Sequence, residues 1–297
     1  MKAYPVHHAV LPNGENLAYR QAGSAGPTVV LIHGNMSSSV HWQTTMEALE
    51  GEFRLVAPDL RGFGDSSYEA RFDSLLDLAH DVEAFLDAVG VGPCAVVGWS
   101  TGGGVALELA ADRPDQVTST VLVDSVPPTG YPIFRKDPLG QPIMTELLKT
   151  KEEIAADPVQ VLPVLEAYRT GARAVMRATW DALIYNLRQP SPEDYELYLD
   201  AIMKQRNLVD VDFALLTFNM TDSATLSAPG SGRLERVRGP VTVIHGEKDL
   251  VVPFAWAEKT ITLLGDRAKT VTFPDAGHSP ITDVPEAFVT ALKEAVQ

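Results

Sequence analysis

Short runs rich in Val and Ile recur along this chain with amphipathic stretches between them, and that alternation limits the fold more than any other feature. Residues 28–32, 54–57, 95–97, 120–123, 241–244 and 270–273 each read as strands buried on both faces. Apolar residues at helical spacing occupy 75–86 and 288–292. Segments near 6–10 and 17–21 would add an antiparallel edge. Parallel strands need long crossovers, so the pattern predicts an α/β class: a mainly parallel sheet with helices on both faces. A chain of 297 residues, 45% of them hydrophobic, can close the core such a sheet requires.

The alternation stops between about 127 and 237. No buried-strand run occurs there, and the segment is richer in Pro, Met and aromatic residues. It opens with Pro127-Pro128-Thr129-Gly130-Tyr131-Pro132, which cannot continue a helix. Ser191-Pro192-Glu193-Asp194 then reads as a helix start, with Ser as N-cap, Pro at the first helical position and acids in the first turn. The expectation is a helical insertion, 127–237, carried by a core of 1–126 and 238–297.

Composition removes several function classes. A formal net charge of -15 repels phosphate backbones and anionic lipid, so nucleic-acid and membrane-surface binding are not expected. The first residues carry no apolar signal-like run, and no stretch approaches the roughly 18 apolar residues of a membrane span. A soluble, cytoplasmic protein acting on a small molecule is the expectation. The single Cys94 sits in an apolar run and reads as a core residue. No metal or cofactor is implied, and the sequence is silent on oligomeric state.

After the strand ending at Val97 comes Gly98-Trp99-Ser100-Thr101-Gly102. Glycines flanking a serine at a strand-to-helix turn let the hydroxyl stand exposed above a sheet. The small-then-apolar run 103–111 follows as a helix whose N-terminus favours developing negative charge. A serine hydroxyl needs a base, and the base needs an orienting acid. Asp249, just beyond one strand, and His278, beyond the next, complete the order Ser, Asp, His. Asp124, at the end of the strand after Ser100, is the rival acid. His7, His8, His33, His41, His80 and His245 are weaker bases by position. The backbone N–H groups of Thr101 and of Asn35, in the loop His33-Gly34-Asn35-Met36, are the candidate oxyanion donors, with Met36 the alternative to Asn35.

These landmarks together with Asp59-Leu60-Arg61-Gly62-Phe63-Gly64-Asp65-Ser66 resemble the α/β-hydrolase superfamily, over nearly the whole chain. The resemblance implies an α/β-hydrolase fold, an eight-stranded sheet, and a cap at 127–237 covering the site. The turn around Arg61-Gly62-Phe63-Gly64 reads as structural, its glycines permitting a reversal and its charges pairing locally. Similar dehalogenases and epoxide hydrolases carry Asp where this chain has Ser100, so alkyl-enzyme chemistry is disfavoured. What the resemblance leaves is a serine esterase or lactonase acting through an acyl-enzyme, with C–C bond hydrolysis, perhydrolysis or a small-molecule receptor as alternatives. The serine box and Asn35 loop also resemble intracellular polyhydroxybutyrate depolymerases. Trp99, Tyr131, Phe134, Trp180 and Tyr185 are the candidate pocket residues, although spacing such as that of Met176 and Trp180 more often marks a helix's buried stripe than a substrate contact.

Overall fold

A computed structural model describes residues 1–297. Its strands are β1 His7–Val10, β2 Asn16–Ala22, β3 Thr28–Ile32, β4 Arg54–Pro58, β5 Cys94–Trp99, β6 Val117–Val123, β7 Phe134–Lys136, β8 Pro142–Leu147, β9 Val241–Gly246 and β10 Ala268–Phe273. Eight of them form one sheet in the order β1-β2-β4-β3-β5-β6-β9-β10, with β7 and β8 paired separately. Only the β1–β2 and β2–β4 pairings of the large sheet are antiparallel. The helices are α1 Gln43–Leu49, α2 Leu75–Ala88, α3 Thr101–Asp112, α4 Lys151–Ala155, α5 Leu162–Thr170, α6 Arg173–Leu183, α7 Pro192–Ile202, α8 Leu208–Thr217, α9 Phe254–Leu264, α10 Pro280–Asp283 and α11 Pro285–Val296. None is long and apolar enough to cross a membrane.

The two-residue period of a strand explains the layering. Val29 and Leu31 of β3 face one side, joining Met46, Leu49, Phe288 and Leu292 of α1 and α11. Val30 and Ile32 face the other, against Leu78, Val82 and Phe85 of α2 and Val105 and Leu109 of α3. Helix starts follow their sequence signals. Ser74 caps α2 in a reciprocal box with Asp77, and Ser191 accepts from the Asp194 N–H ahead of Pro192. Cys94 is buried, its thiol pushed up to about 12 by loss of solvent.

Three expectations need correction. β10 is not buried on both faces. It is the sheet's edge, paired only with β9, and Lys269 and Thr270 are exposed. Segment 127–237 is not all helical, because β7 and β8 form an antiparallel ribbon closed by Asp137, whose Oδ1 accepts from the Leu139 and Gln141 N–H groups. That ribbon lies on the surface, with Met144 63% exposed, so no buried apolar run announces it. The charges of the Arg61 turn do not pair locally. Gly62 and Gly64 do adopt φ of 79° and 47°, but the Arg61 guanidinium reaches α2 and grips Asp81 through Nε (2.6 Å) and Nη2 (2.5 Å).

This bidentate pair is buried at both ends and ties the loop after β4 to α2. Asp81→Ala strands a buried guanidinium and is expected to cost roughly 3–5 kcal/mol. Urea denaturation checks it; a loss under about 1 kcal/mol would show that the pair is solvated.

Candidate active site

β5 hands over to α3 at Ser100, whose backbone lies at φ 56°, ψ -121°. A side chain in this region is strained by about 1–3 kcal/mol and persists only where packing dictates it. The packing is visible at the neighbouring glycines. A β-carbon on Gly98 would lie 2.1 Å from the Gly102 carbonyl oxygen, one on Gly102 2.4 Å from that of Ile32, and one on Gly103 2.0 Å from Ser125 Oγ. Main-chain bonds fix the turn: the Ser100 N–H donates to Val123 (2.9 Å), and the Ser100 carbonyl accepts from Gly103 and Val126.

Three loops from the carboxyl ends of the strands meet around this turn. The loop after β3 presses Gly34 against Ser100 so closely that a β-carbon there would sit 2.8 Å from Ser100 Cβ and 3.5 Å from Oγ. The loop after β9 carries Asp249, and the loop after β10 returns from the sheet edge with His278. Contact between those two is equally tight, since a β-carbon on Gly246 would lie 2.2 Å from the Gly277 oxygen. His278 Nδ1 is 2.7 Å from Asp249 Oδ2. Trp99 Nε1 donates to the His278 carbonyl at 2.8 Å, holding this loop over the residue next to Ser100. No hydrogen bond joins Ser100 Oγ to His278; such contacts are commonly long before substrate binds.

The two candidate acids differ in partners and in charge. Asp249 Oδ1 accepts from the N–H groups of Val251 (2.7 Å) and Val252 (2.9 Å), while Oδ2 meets His278. Burial alone would raise this carboxyl, but His278 and those donors outweigh it and hold it below the usual carboxylate range. Asp124 is fully buried, at φ 42°, and accepts only from the Gly246 N–H. Burial first, then the charge of Asp249, pushes Asp124 well above the ordinary range. The two neighbouring buried carboxyls are thus shifted in opposite directions, Asp249 down and Asp124 up. His245 shares this cluster and could with the two acids face one cation. The Val251 and Val252 N–H groups, His278 and the Val252 carbonyl already engage Asp249 and His245, which favours a purely hydrogen-bonded cluster.

Asn35 lies in the loop after β3, one residue beyond the Gly34 that presses on Ser100, and Thr101 at the first position of α3, where N–H groups lack intrahelical partners. Met36 follows at φ 54°. The Asn35 side chain is engaged from 127–237: Gln205 Nε2 donates to its Oδ1 (2.7 Å), and its Nδ2 donates to Asp212 Oδ1 (3.3 Å). Asp212, half-buried on α8, is raised to about 7, by desolvation and then by Asp157, against the opposing bond from Asn35. Sequence reasoning missed Gln205 and Asp212. Two aspartates within the otherwise apolar face-rich helix Leu208–Thr217 were the available signal.

The expected pocket residues divide. Trp99, Trp180 and Tyr185 are buried and form a continuous aromatic cluster with His41 and Tyr198, in which Trp99 and Trp180 meet edge to face at 6.2 Å. Tyr131 is half-buried and donates to the Val251 carbonyl beside Asp249 at 3.0 Å. Phe134 sits apart on β7, lining an open cavity of about 550 Å³ with Pro127, Leu226 and Trp256 that contains none of Ser100, Asp249 and His278. The remaining histidines are structural or remote: His33 Nε2 accepts from the Leu60 N–H, and His41 stacks on Tyr198 with centroids 4.5 Å apart.

Comparison with known proteins agrees with this architecture. Residues 29–291 match the profile described as Alpha/beta hydrolase family. A pimeloyl-[acyl-carrier protein] methyl ester esterase of Nitrosomonas europaea is 30% identical over 274 residues, 90% of this chain and 94% of its own. A bifunctional esterase/perhydrolase of Acinetobacter calcoaceticus is 28% identical over 284 residues, covering 91% and 92%. In fold, an esterase from Exiguobacterium antarcticum superposes with a TM-score of 0.74 at 19% identity, over 97% of both chains.

The raised Asp212 has a consequence for stability. Its folded carboxyl titrates near 7 and its unfolded one near 3.9, so between those values the native state holds a proton the unfolded chain has released. That contribution declines as pH rises through the window. Asp212→Asn removes it, so the variant should gain melting temperature relative to wild type on going from pH 5 to pH 8; an equal difference at both would contradict the assignment. Gly98→Ala, with its β-carbon 2.1 Å from a backbone oxygen, should lower stability by more than about 2 kcal/mol in urea titration.

Proposed function

Because the chain belongs to the alpha/beta hydrolase family, and because an Asp–His pair stands beside a strained serine, we propose that it is a serine hydrolase cleaving a carboxylic ester through an acyl-enzyme. Ser100 Oγ attacks the carbonyl carbon while His278 Nε2 takes its proton, and the carbonyl electrons move onto oxygen. The N–H groups of Asn35 and Thr101 hold that oxyanion. Collapse expels the alcohol, protonated by His278; water activated by the same imidazole then releases the acid. Asp249 holds His278 with Nδ1 protonated and Nε2 facing the serine. The single observation carrying this reading is the 2.7 Å Asp249–His278 contact on a loop tied to the residue before Ser100.

In this reading segment 127–237 is a cap. Its α6 brings Trp180 against Trp99, and its opening turn brings Tyr131 to the Asp249 loop. The aromatic lining suits a modest, largely apolar acyl or alkyl group. The esterase names of the relatives support ester cleavage. The esterase/perhydrolase relative favours a second reading, in which hydrogen peroxide replaces water in the deacylation step and a peracid leaves.

Ser100→Ala should reduce hydrolysis of p-nitrophenyl butyrate by at least about 10³-fold with little change in melting temperature, and Asp249→Asn by roughly 10⁴-fold. Near-normal turnover in Ser100→Ala would remove the assignment. A panel of short esters, lactones and 3-hydroxybutyrate oligomers, each with and without peroxide, reads the substrate class and separates the two readings.

A further inference from the structure

The Asn35 side chain is unusually constrained for a loop residue. Its Oδ1 accepts two hydrogen bonds, from the Met36 N–H (2.9 Å) and from Gln205 Nε2 (2.7 Å), and its Nδ2 donates to Asp212 Oδ1 (3.3 Å). Gln205 is itself 4% exposed and held on both sides. Its Oε1 accepts from the Tyr168 hydroxyl of α5 at 2.9 Å, and its Nε2 also donates to Asn207 Oδ1 at 2.9 Å. Asn207 Nδ2 in turn donates to the Arg61 carbonyl at 2.6 Å, anchoring the group to the loop after β4. A rigid chain of hydrogen bonds thus runs from α5 through the α7–α8 connection to the loop after β3.

That loop needs an external hold. Met36, a non-glycine residue, sits at φ 54° immediately after Asn35, a conformation that persists only when its surroundings over-determine it. The bond from Met36 N–H to Asn35 Oδ1 closes the turn locally, and the orientation of the Asn35 amide therefore sets the turn. We propose that Gln205 and Asp212 are positioning residues, clamping the Asn35 side chain so that its main-chain N–H points at the oxyanion. The proposal rests on the oxyanion role given to Asn35 above. It makes segment 127–237 part of the catalytic apparatus as well as its cover. Other contacts attach that segment to the core without touching this loop, such as Tyr131 to Val251 and Lys204 to Asp65, so the two bonds to Asn35 are not needed merely for docking.

An oxyanion donor must lie about 2.7–3.1 Å from the developing oxyanion, and complete loss of one costs roughly 10²–10³ in kcat. Gln205→Met and Asp212→Leu, which keep bulk but cannot make these bonds, should lower kcat on p-nitrophenyl acetate by about 10–100-fold with KM within about threefold. An aryl trifluoromethyl ketone, which binds by forming an oxyanion on the serine, should weaken by the same factor as kcat. Asp212→Asn retains the accepting oxygen and should recover most of what Asp212→Leu loses. The clamp is overturned if Asp212→Leu keeps its kcat, if Asp212→Asn is as impaired as Asp212→Leu, or if KM rises while kcat and ketone affinity hold. Should Gln205→Met not fold, the two Asp212 variants decide alone. Ser100→Ala run in parallel separates the failures: turnover surviving there defeats the serine reading and the clamp together, whereas an inactive Ser100→Ala beside a fully active Asp212→Leu defeats the clamp alone.

Discussion

A serine backbone held at φ 56° is the constraint on which the site depends. It is sustained because β3, β5 and the loop after β6 approach one another where no β-carbon could fit, at Gly98, Gly102 and Gly103. Relaxing the turn would require separating strands whose side chains are buried on both faces, as the residues of β5 all are. Core packing and the exposure of the serine hydroxyl are therefore one feature. The density that stabilises the centre of the sheet also forces one hydroxyl out of it, at the carboxyl end, where a helix N-terminus supplies N–H groups.

Charge near that point is governed by unequal hydrogen bonding. Asp124 and Asp249 are neighbours in one buried cluster, yet the second has two backbone donors and an imidazole while the first has one donor. The imbalance shifts the two carboxyls in opposite directions and lowers the one that faces His278.

The parts legible in the sequence were those encoded over a few contiguous residues. The Val- and Ile-rich runs gave away the strands of the sheet's interior, and residues 98–102 carried the whole elbow, because each depends on local period or on glycine's freedom. β10 misled because an edge strand can be as rich in Val and Thr as a central one. The ribbon of β7 and β8 left no apolar trace because it buries little. Asp249 stood ahead of Asp124 in one dimension because its loop immediately precedes the strand leading to His278, but the partners that surround each acid left no trace there. The hold on Asn35 was invisible for a simpler reason: its partners lie 170 and 177 residues away, and single hydrogen bonds across such spans leave no periodicity to read.

The central claim is that one hydroxyl among the chain's many is activated by the His278–Asp249 pair. Brief exposure of the native protein to a fluorophosphonate, followed by intact-mass and peptide mass spectrometry, tests it most directly. The account predicts one phosphonyl adduct per chain, on Ser100, forming at a rate that collapses in His278→Ala. Stoichiometric labelling at another residue, or a Ser100 that stays unmodified while ester turnover is blocked, would contradict it.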